Sequence, residues 1–137
     1  EAVCSVRNAF FQYMIGNTDW RLNGGHNTRY IKELEVVNYK VLPVPYDFDF
    51  SGLVDAEYAI PNPNLDQSHV KQRIWMWEFA PSNALDATVQ QFLAKEAAVI
   101  QLVDNYPHLS KSSKRQITKY LGDFYSSLQD GSFTAGV

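Results

Sequence analysis

Two prolines, two residues apart in a β-prone run, set the first limit on the fold. In YKVLPVPYDFDF at 39–50, Pro43 and Pro45 have no backbone N–H to donate to a ladder, so a sheet tolerates them only at an edge or a strand end. The run is therefore predicted to be an edge strand, or one that ends near Tyr46. TRYIKEL at 28–34 is also β-prone, and a short polar turn at 35–38 joins the two into an irregular hairpin.

The rest of the chain carries helical periodicity. In EAVCSVRNAFFQYMIG, Val3, Val6, Phe10, Tyr13 and Met14 recur at three- and four-residue spacing, and Gly16 supplies a stop. Cys4 is expected to be a small scaffold residue of this helix. Asn83 with Asp86 resembles a capping box, and Leu85, Val89, Phe92, Val99, Val103 and Tyr106 mark the buried face of one helix ending before Pro107. Ser110 is placed to cap a last helix with the stripe Ile117, Tyr120, Leu121, Phe124, Tyr125 and Leu128, stopped by Gly131. Residues 17–27 and 51–68 read as loops, rich in Gly, Pro, Asn and Asp. VKQRIWMWEF at 70–79 fits a strand or a short helix, with the helix preferred. The expected fold class is α+β, mostly helical, as a single domain over 1–131 with a flexible tail at 132–137.

Composition removes several functions. A net charge of -3 with dispersed Lys and Arg leaves no nucleic-acid footprint, and the cluster at Lys111, Lys114 and Arg115 reads as a solvated helix face. No apolar run approaches the ~20 residues that span a bilayer, so neither nucleic acid nor a membrane is an expected partner. One cysteine excludes an internal disulfide and a multi-cysteine zinc site. The 45% hydrophobic content is that of a folded globule.

What remains is a constellation at the two ends of the hairpin. Asp19 and Asn27 lie in the loop before it, and Asp47 and Asp49 lie after it. Hard oxygen donors of this kind suit Mg²⁺ or Mn²⁺ rather than zinc. One carboxylate to orient a hydroxyl, with an oxygen set to hold the ion, is the parts list of phosphoryl transfer. If the second segment is extended, Asp47 and Asp49 share one face and Tyr46, Phe48 and Phe50 the other. Two carboxylates so placed repel, and a divalent ion is the economical compensation.

On these residues the chain resembles a known group. Asn17-Thr18-Asp19, the later Asn27 and Tyr46-Asp47-Phe48-Asp49 look like the catalytic-loop and metal-loop motifs of atypical protein-kinase-like folds, the HipA-like and CotH-like groups in particular. The run FQYMIGNTDW…HN…VPYDFDFSGLV is also similar to bacterial proteins of unassigned function. The resemblance covers roughly residues 3–60. It implies a kinase-like C-lobe with a β-hairpin between the catalytic and metal-binding loops. In it Asp19 is the catalytic Asp, Asn27 and Asp47 are metal ligands, Asp49 is a supporting ligand, and the loop to Pro63 takes the activation-segment position.

The pattern also departs from the group. Asn27 follows Asp19 by eight residues where the common kinase spacing is five, Trp20-Arg21 replaces an Arg-His pair, and His26 is a rival loop contact. No Gly-rich loop or strand lysine is present, and no five-stranded lobe fits before Glu1. The resemblance therefore implies a fragment, inactive alone, with Mg²⁺ or Mn²⁺ as cofactor. ATP is expected only with a missing N-terminal lobe or partner chain, and the phosphate acceptor is not specified. The rival reading is a non-catalytic metal-binding or protein-interaction α+β module that presents Trp20, Trp75 and Trp77 to a partner.

Overall fold

The computed structural model of the chain describes residues 2–32, 41–77 and 82–135. The fold is α+β: α1 (Ala2–Ile15), β1 (Thr28–Lys32), β2 (Val41–Pro45), α2 (Ser82–Leu93), α3 (Glu96–Asn105), α4 (Lys111–Gln129) and the single turn α5 (Ser132–Ala135). It divides into two compact units, residues 1–84 and 85–137.

In the first unit α1 buries Val6, Phe10 and Met14 of the predicted stripe, with Ala9 beside them and Tyr13 half-buried; the Val3 and Cys4 side chains lie outside the described residues. Around Ala9 a core gathers Trp20 and Leu22, with Trp75, Met76 and Trp77 packed against it. Phe10 and Tyr13 both meet the Trp75 ring edge-on, at 5.5 and 5.9 Å between centroids. Such aromatic pairs add about 0.5–1.5 kcal/mol each beyond the area they bury.

The sheet is the expected hairpin, β1 antiparallel to β2 with Thr28 opposite Pro45 and Lys32 opposite Val41; the predicted turn at 35–38 lies outside the described residues. Beyond the last pair, the Tyr46 N–H donates to the Asn27 carbonyl at 3.0 Å. N–H groups alternate sides along a strand, so those at 42, 44 and 46 point toward β1, while the nitrogens of Pro43 and Pro45 point away from it. The prolines thus occupy the two ladder positions where a missing N–H costs no hydrogen bond.

One prediction fails here, the helix preferred at 70–79, of which residues 78 and 79 lie outside the described residues. Residues 70–77 form no helix: Gln67 accepts the Asn62 N–H and donates to the Gln72 carbonyl at 2.9 Å, and Arg73 donates to the Met14 carbonyl at 3.1 Å. These bonds stand in place of a helix's own ladder, with a turn at 70–71 and irregular backbone at 73–77, and the tryptophans pack on the core instead of lining a helix face. Strand β2 ends at Pro45, next to the predicted end near Tyr46, and the extended geometry that would set Asp47 and Asp49 on one face is not met, because Asp47 adopts φ 60°.

In the second unit the single helix predicted to run to Tyr106 is broken. α2 and α3 are separated at Ala94-Lys95, and the Lys95 N–H bonds back to the Phe92 carbonyl at 2.9 Å. Ser110 caps α4 as predicted, its side chain accepting the Ser113 N–H at 3.0 Å. Leu121, Phe124, Tyr125 and Leu128 are buried, and Phe124 meets Phe92 and Tyr125 edge-on. Gly131, at φ 77°, turns the chain into α5, where a tail was expected and where Phe133 is 4% exposed. No helix among the described residues is long and apolar enough to cross a membrane.

These environments separate the costs of substitution. Phe124→Ala removes a fully buried ring and is expected to lower stability by about 3–5 kcal/mol. Leu102→Ala, at a side chain 70% exposed, should stay within about 0.5 kcal/mol. Urea unfolding followed by circular dichroism measures both.

Candidate functional site

The site is assembled at the C-terminal end of α1. A helix ends with carbonyls that its own N–H groups cannot reach. Here the Gln12 carbonyl accepts from the Asn17 N–H at 2.9 Å, Tyr13 from Gly16 at 3.0 Å, and Met14 from the Arg73 side chain. The Ile15 and Gly16 carbonyls accept from the N–H groups of Leu53 and Gly52 at 2.9 and 3.0 Å. One helix end thereby anchors both loops, the one carrying Asp19 and the one following Asp49. Gly16 leaves the helix at φ 66°, a left-handed exit that glycine makes without the Cβ clash of other residues.

From that anchor a buried polar chain reaches Asp19. The Asn17 side-chain amide donates to the Gln12 side-chain carbonyl at 2.9 Å, and Asn17 Oδ1 accepts the Asp19 N–H at 3.0 Å. The Asp19 carboxylate then has two partners. His26 Nε2 lies 2.9 Å from Oδ1, and Asn27 Nδ2 donates to Oδ2 at 3.0 Å while also donating to the Asp19 backbone carbonyl at 2.8 Å. Both amide hydrogens of Asn27 are thus spent on one residue, and its Oδ1 keeps its acceptor capacity. The extra loop length between Asp19 and Asn27 is absorbed by a tight turn: Arg21 and His26 bridge, and Gly24 and Gly25 take φ 85° and 67°.

The hairpin register brings the second loop alongside. Thr28 opposes Pro45, so Asn27 and Tyr46 form the next pair and Asp47 follows immediately. Asp47 and Asp49 do come together, through the left-handed kink at Asp47 rather than through strand alternation. Asp47 is pushed above the usual carboxylate range, first by a hydrogen bond shared with the Asp49 side chain and then by the Asp49 charge, with smaller contributions from desolvation and the Asp19 charge; the Asp49 backbone N–H opposes them. Tyr58 donates to Asp49 Oδ2 at 3.0 Å, and its phenol is raised in consequence. Phe48 turns inward onto Phe11 at 5.6 Å.

The four residues predicted from sequence thus form two pairs at the same end of the hairpin, Asp19 bonded to Asn27 and Asp47 coupled to Asp49, with the Asp19 charge a lesser influence on Asp47. Among the described residues no three His, Cys, Asp or Glu side chains gather closely enough to hold a metal ion by themselves. The candidate set is two carboxylates and an amide oxygen, which fits Mg²⁺, an ion commonly held by one or two carboxylates with water and substrate phosphates completing the shell. His26 pairs with Asp19 rather than replacing Asn27.

Sequence reasoning missed a cleft of about 530 Å³ on the other side of Asp19, lined by Trp20, Arg21 and His26 on one side and by Phe50, Ile60 and Asn62 on the other. Its far wall is fastened to the Asp19 loop. Asn62 Nδ2 donates to the Thr18 carbonyl at 3.0 Å, and the Thr18 hydroxyl donates to Gln67 Oε1 at 3.2 Å. The Asn/Pro-rich composition of 61–64 announced a loop but not what it would close against.

Comparison with protein-family models, curated proteins and solved structures finds no match to this chain. The kinase-like resemblance rests on the two loop motifs.

Two measurements test this geometry. In Asp49→Asn the amide donates where a carboxyl had to share a proton, so the Asp47 pKa should fall toward the ordinary carboxylate range in a carboxyl-carbon NMR titration. A raised folded-state pKa stabilises the fold at low pH and is lost as pH rises through it, so that acid-side stabilisation should shrink in the variant. Asn27, at φ 48°, separates side-chain from backbone effects. Asn27→Gly and Asn27→Ala lose the same hydrogen bonds, but alanine should cost about 1 kcal/mol more in chemical denaturation because of its left-handed Cβ clash.

Proposed function

We propose that the first unit is the catalytic-loop and metal-loop portion of a kinase-like phosphotransferase. Asp19 orients the acceptor hydroxyl and receives its proton, while Asn27, Asp47 and Asp49 hold Mg²⁺ or Mn²⁺. When bound, the ion neutralises charge on the transferring phosphate. The observation that carries this reading is the double donation of the Asn27 amide to Asp19. It holds the carboxylate assigned the catalytic role and leaves Asn27 Oδ1 its acceptor capacity, on a residue whose backbone carbonyl bonds to Tyr46, the residue before Asp47. A carboxylate oxygen accepts more than one hydrogen bond, so Asp19 retains acceptor capacity beyond His26 and Asn27.

The pairing of Asp47 with Asp49 supports a cation site: after the hydrogen bond between the two carboxyls, the Asp49 charge is the next cause that raises Asp47, and a bound ion would relieve that repulsion. The outward face of the hairpin is apolar, with Ile31, Leu42, Val44 and Tyr46 exposed, and it adjoins Asp47. A nucleotide-gripping lobe or partner chain would seat there. The interaction-module reading has less support, since Trp20, Trp75 and Trp77 pack on the core rather than forming a docking surface.

The test is calorimetric titration of the chain with Mg²⁺ and Mn²⁺. The parent is expected to bind, and Asp47→Ala to weaken binding by more than about tenfold, since even outer-shell partners of a metal contribute 10–100-fold. Equal binding by variant and parent would remove the metal role and the proposal with it.

A further inference from the structure

The 530 Å³ cleft beside Asp19 has the size of a small-molecule site, and its lining is chemically divided. Trp20, Phe50, Ile60 and Pro61 give it apolar walls, Asn62 adds a polar group, and Asp19 and Arg21 bring opposite charges. Asp19 is pinned by His26 and Asn27. Arg21 is held through its backbone, whose N–H donates to the His26 carbonyl at 3.0 Å, yet its guanidinium makes no hydrogen bond or ion pair with any described residue.

Neighbouring arginines are committed differently. Arg29 donates to the Gly25 carbonyl and lies 4.9 Å from the centre of the Tyr46 ring, and Arg73 donates to the Met14 carbonyl. Arg21 is the arginine that lines the cleft, and no described residue engages its guanidinium. A guanidinium fork matches a carboxylate or phosphate in two parallel hydrogen bonds.

We infer that this cleft binds a small organic acceptor carrying both a hydroxyl and an anionic group, the hydroxyl at Asp19, the anion on Arg21 and an apolar stem against the Trp20–Ile60 walls. The inference rests on the phosphotransferase reading for the role of Asp19, and it names the acceptor class that reading leaves open. In the implied reaction the acceptor oxygen bonds to the γ-phosphorus of a nucleoside triphosphate. The bond from that phosphorus to the bridging oxygen breaks toward nucleoside diphosphate, and the hydroxyl proton passes to Asp19. Arg21 then sets specificity without touching the transferring group.

Binding can be tested without nucleotide or metal, using the full chain and three matched compounds: hydroxypentyl phosphate, pentyl phosphate and pentanediol. In proton–nitrogen NMR, hydroxypentyl phosphate is expected to shift the Trp20 indole N–H and the Asn62 side-chain amide saturably. Pentyl phosphate should bind more weakly, and pentanediol weaker still. Arg21→Gln should lower the affinity for hydroxypentyl phosphate by about 10–100-fold, the range of a charge-assisted hydrogen bond, and Arg21→Lys should recover part of it. No saturable shift at Trp20 and Asn62, equal affinity in Arg21→Gln and parent, or pentanediol binding as tightly as the phosphate would each overturn the inference. The outcome is independent of the cation titration. Mg²⁺ binding at Asp47 without anion binding at Arg21 sinks this inference alone, whereas anion binding without Mg²⁺ binding sinks the metal role and leaves the cleft's ligand standing.

Discussion

The carbonyls at the end of α1 are the constraint on which the first unit depends. Five consecutive groups, from Gln12 to Gly16, accept hydrogen bonds from three different parts of the chain. A buried helix end without such partners would leave desolvated acceptors at about 1–3 kcal/mol each. Meeting that requirement fixes where the Asp19 loop leaves the helix, where the segment after Asp49 returns to it, and where residues 70–77 cross. The site is thus a by-product of helix termination, because the groups that satisfy the carbonyls belong to the loops that carry the chemistry.

Two further links make the arrangement stiff where chemistry needs it. Asn17 acts on both sides, donating into the core at Gln12 and accepting from Asp19, so the carboxylate is referred to the helix rather than to solvent-exposed loop. Gln67 does the same for the opposite wall of the cleft, accepting from Thr18 and Asn62 while donating to Gln72. Side-chain amides suit such junctions because each offers both donors and an acceptor in one plane. In the proposed phosphotransferase role such positioning would act alongside electrostatic stabilisation, the two means by which phosphoryl transfer is catalysed.

Much of this was legible in the residues, for physical reasons that can be stated. Helical periodicity placed α1 and α4, Ser110 announced its own cap, and the spacing of Pro43 and Pro45 gave away the edge of the hairpin. What stayed hidden was tertiary. The Arg73 and Gln67 bonds hold 70–77 out of a helix despite an apolar pattern that a helix would satisfy, and the turn at Ala94-Lys95 interrupts a stripe that continues in sequence. For the candidate site, residue types and order pointed to Asp19, Asn27, Asp47 and Asp49, but not to the Asn27 bonds to Asp19 or to the way Asp47 couples to Asp49. Strand alternation would have paired Asp47 with Asp49 on a flat ribbon; the left-handed kink at Asp47 pairs them instead, and no sequence rule marks an aspartate for φ 60°.

That kink bears on why the site exists. Asn27 and Asp47 both adopt left-handed backbone, which costs a residue with a Cβ roughly 1–2 kcal/mol, somewhat less for Asn and Asp. The Asp47 and Asp49 carboxyls add mutual repulsion. Glycine at either position, or an amide in place of one carboxylate, would relieve these terms without disturbing the ladder between β1 and β2. Against a total stability of about 5–15 kcal/mol for a typical domain, retaining all of them together is a substantial sacrifice. Left-handed backbone at Asn27 and Asp47 and like charge at Asp47 and Asp49 fall at one hairpin end beside a fully bonded helix terminus, which supports the proposal of a site held ready for a ligand. Their common location, more than any one of the residues, argues that the hairpin is built to present oxygen atoms rather than to complete a core.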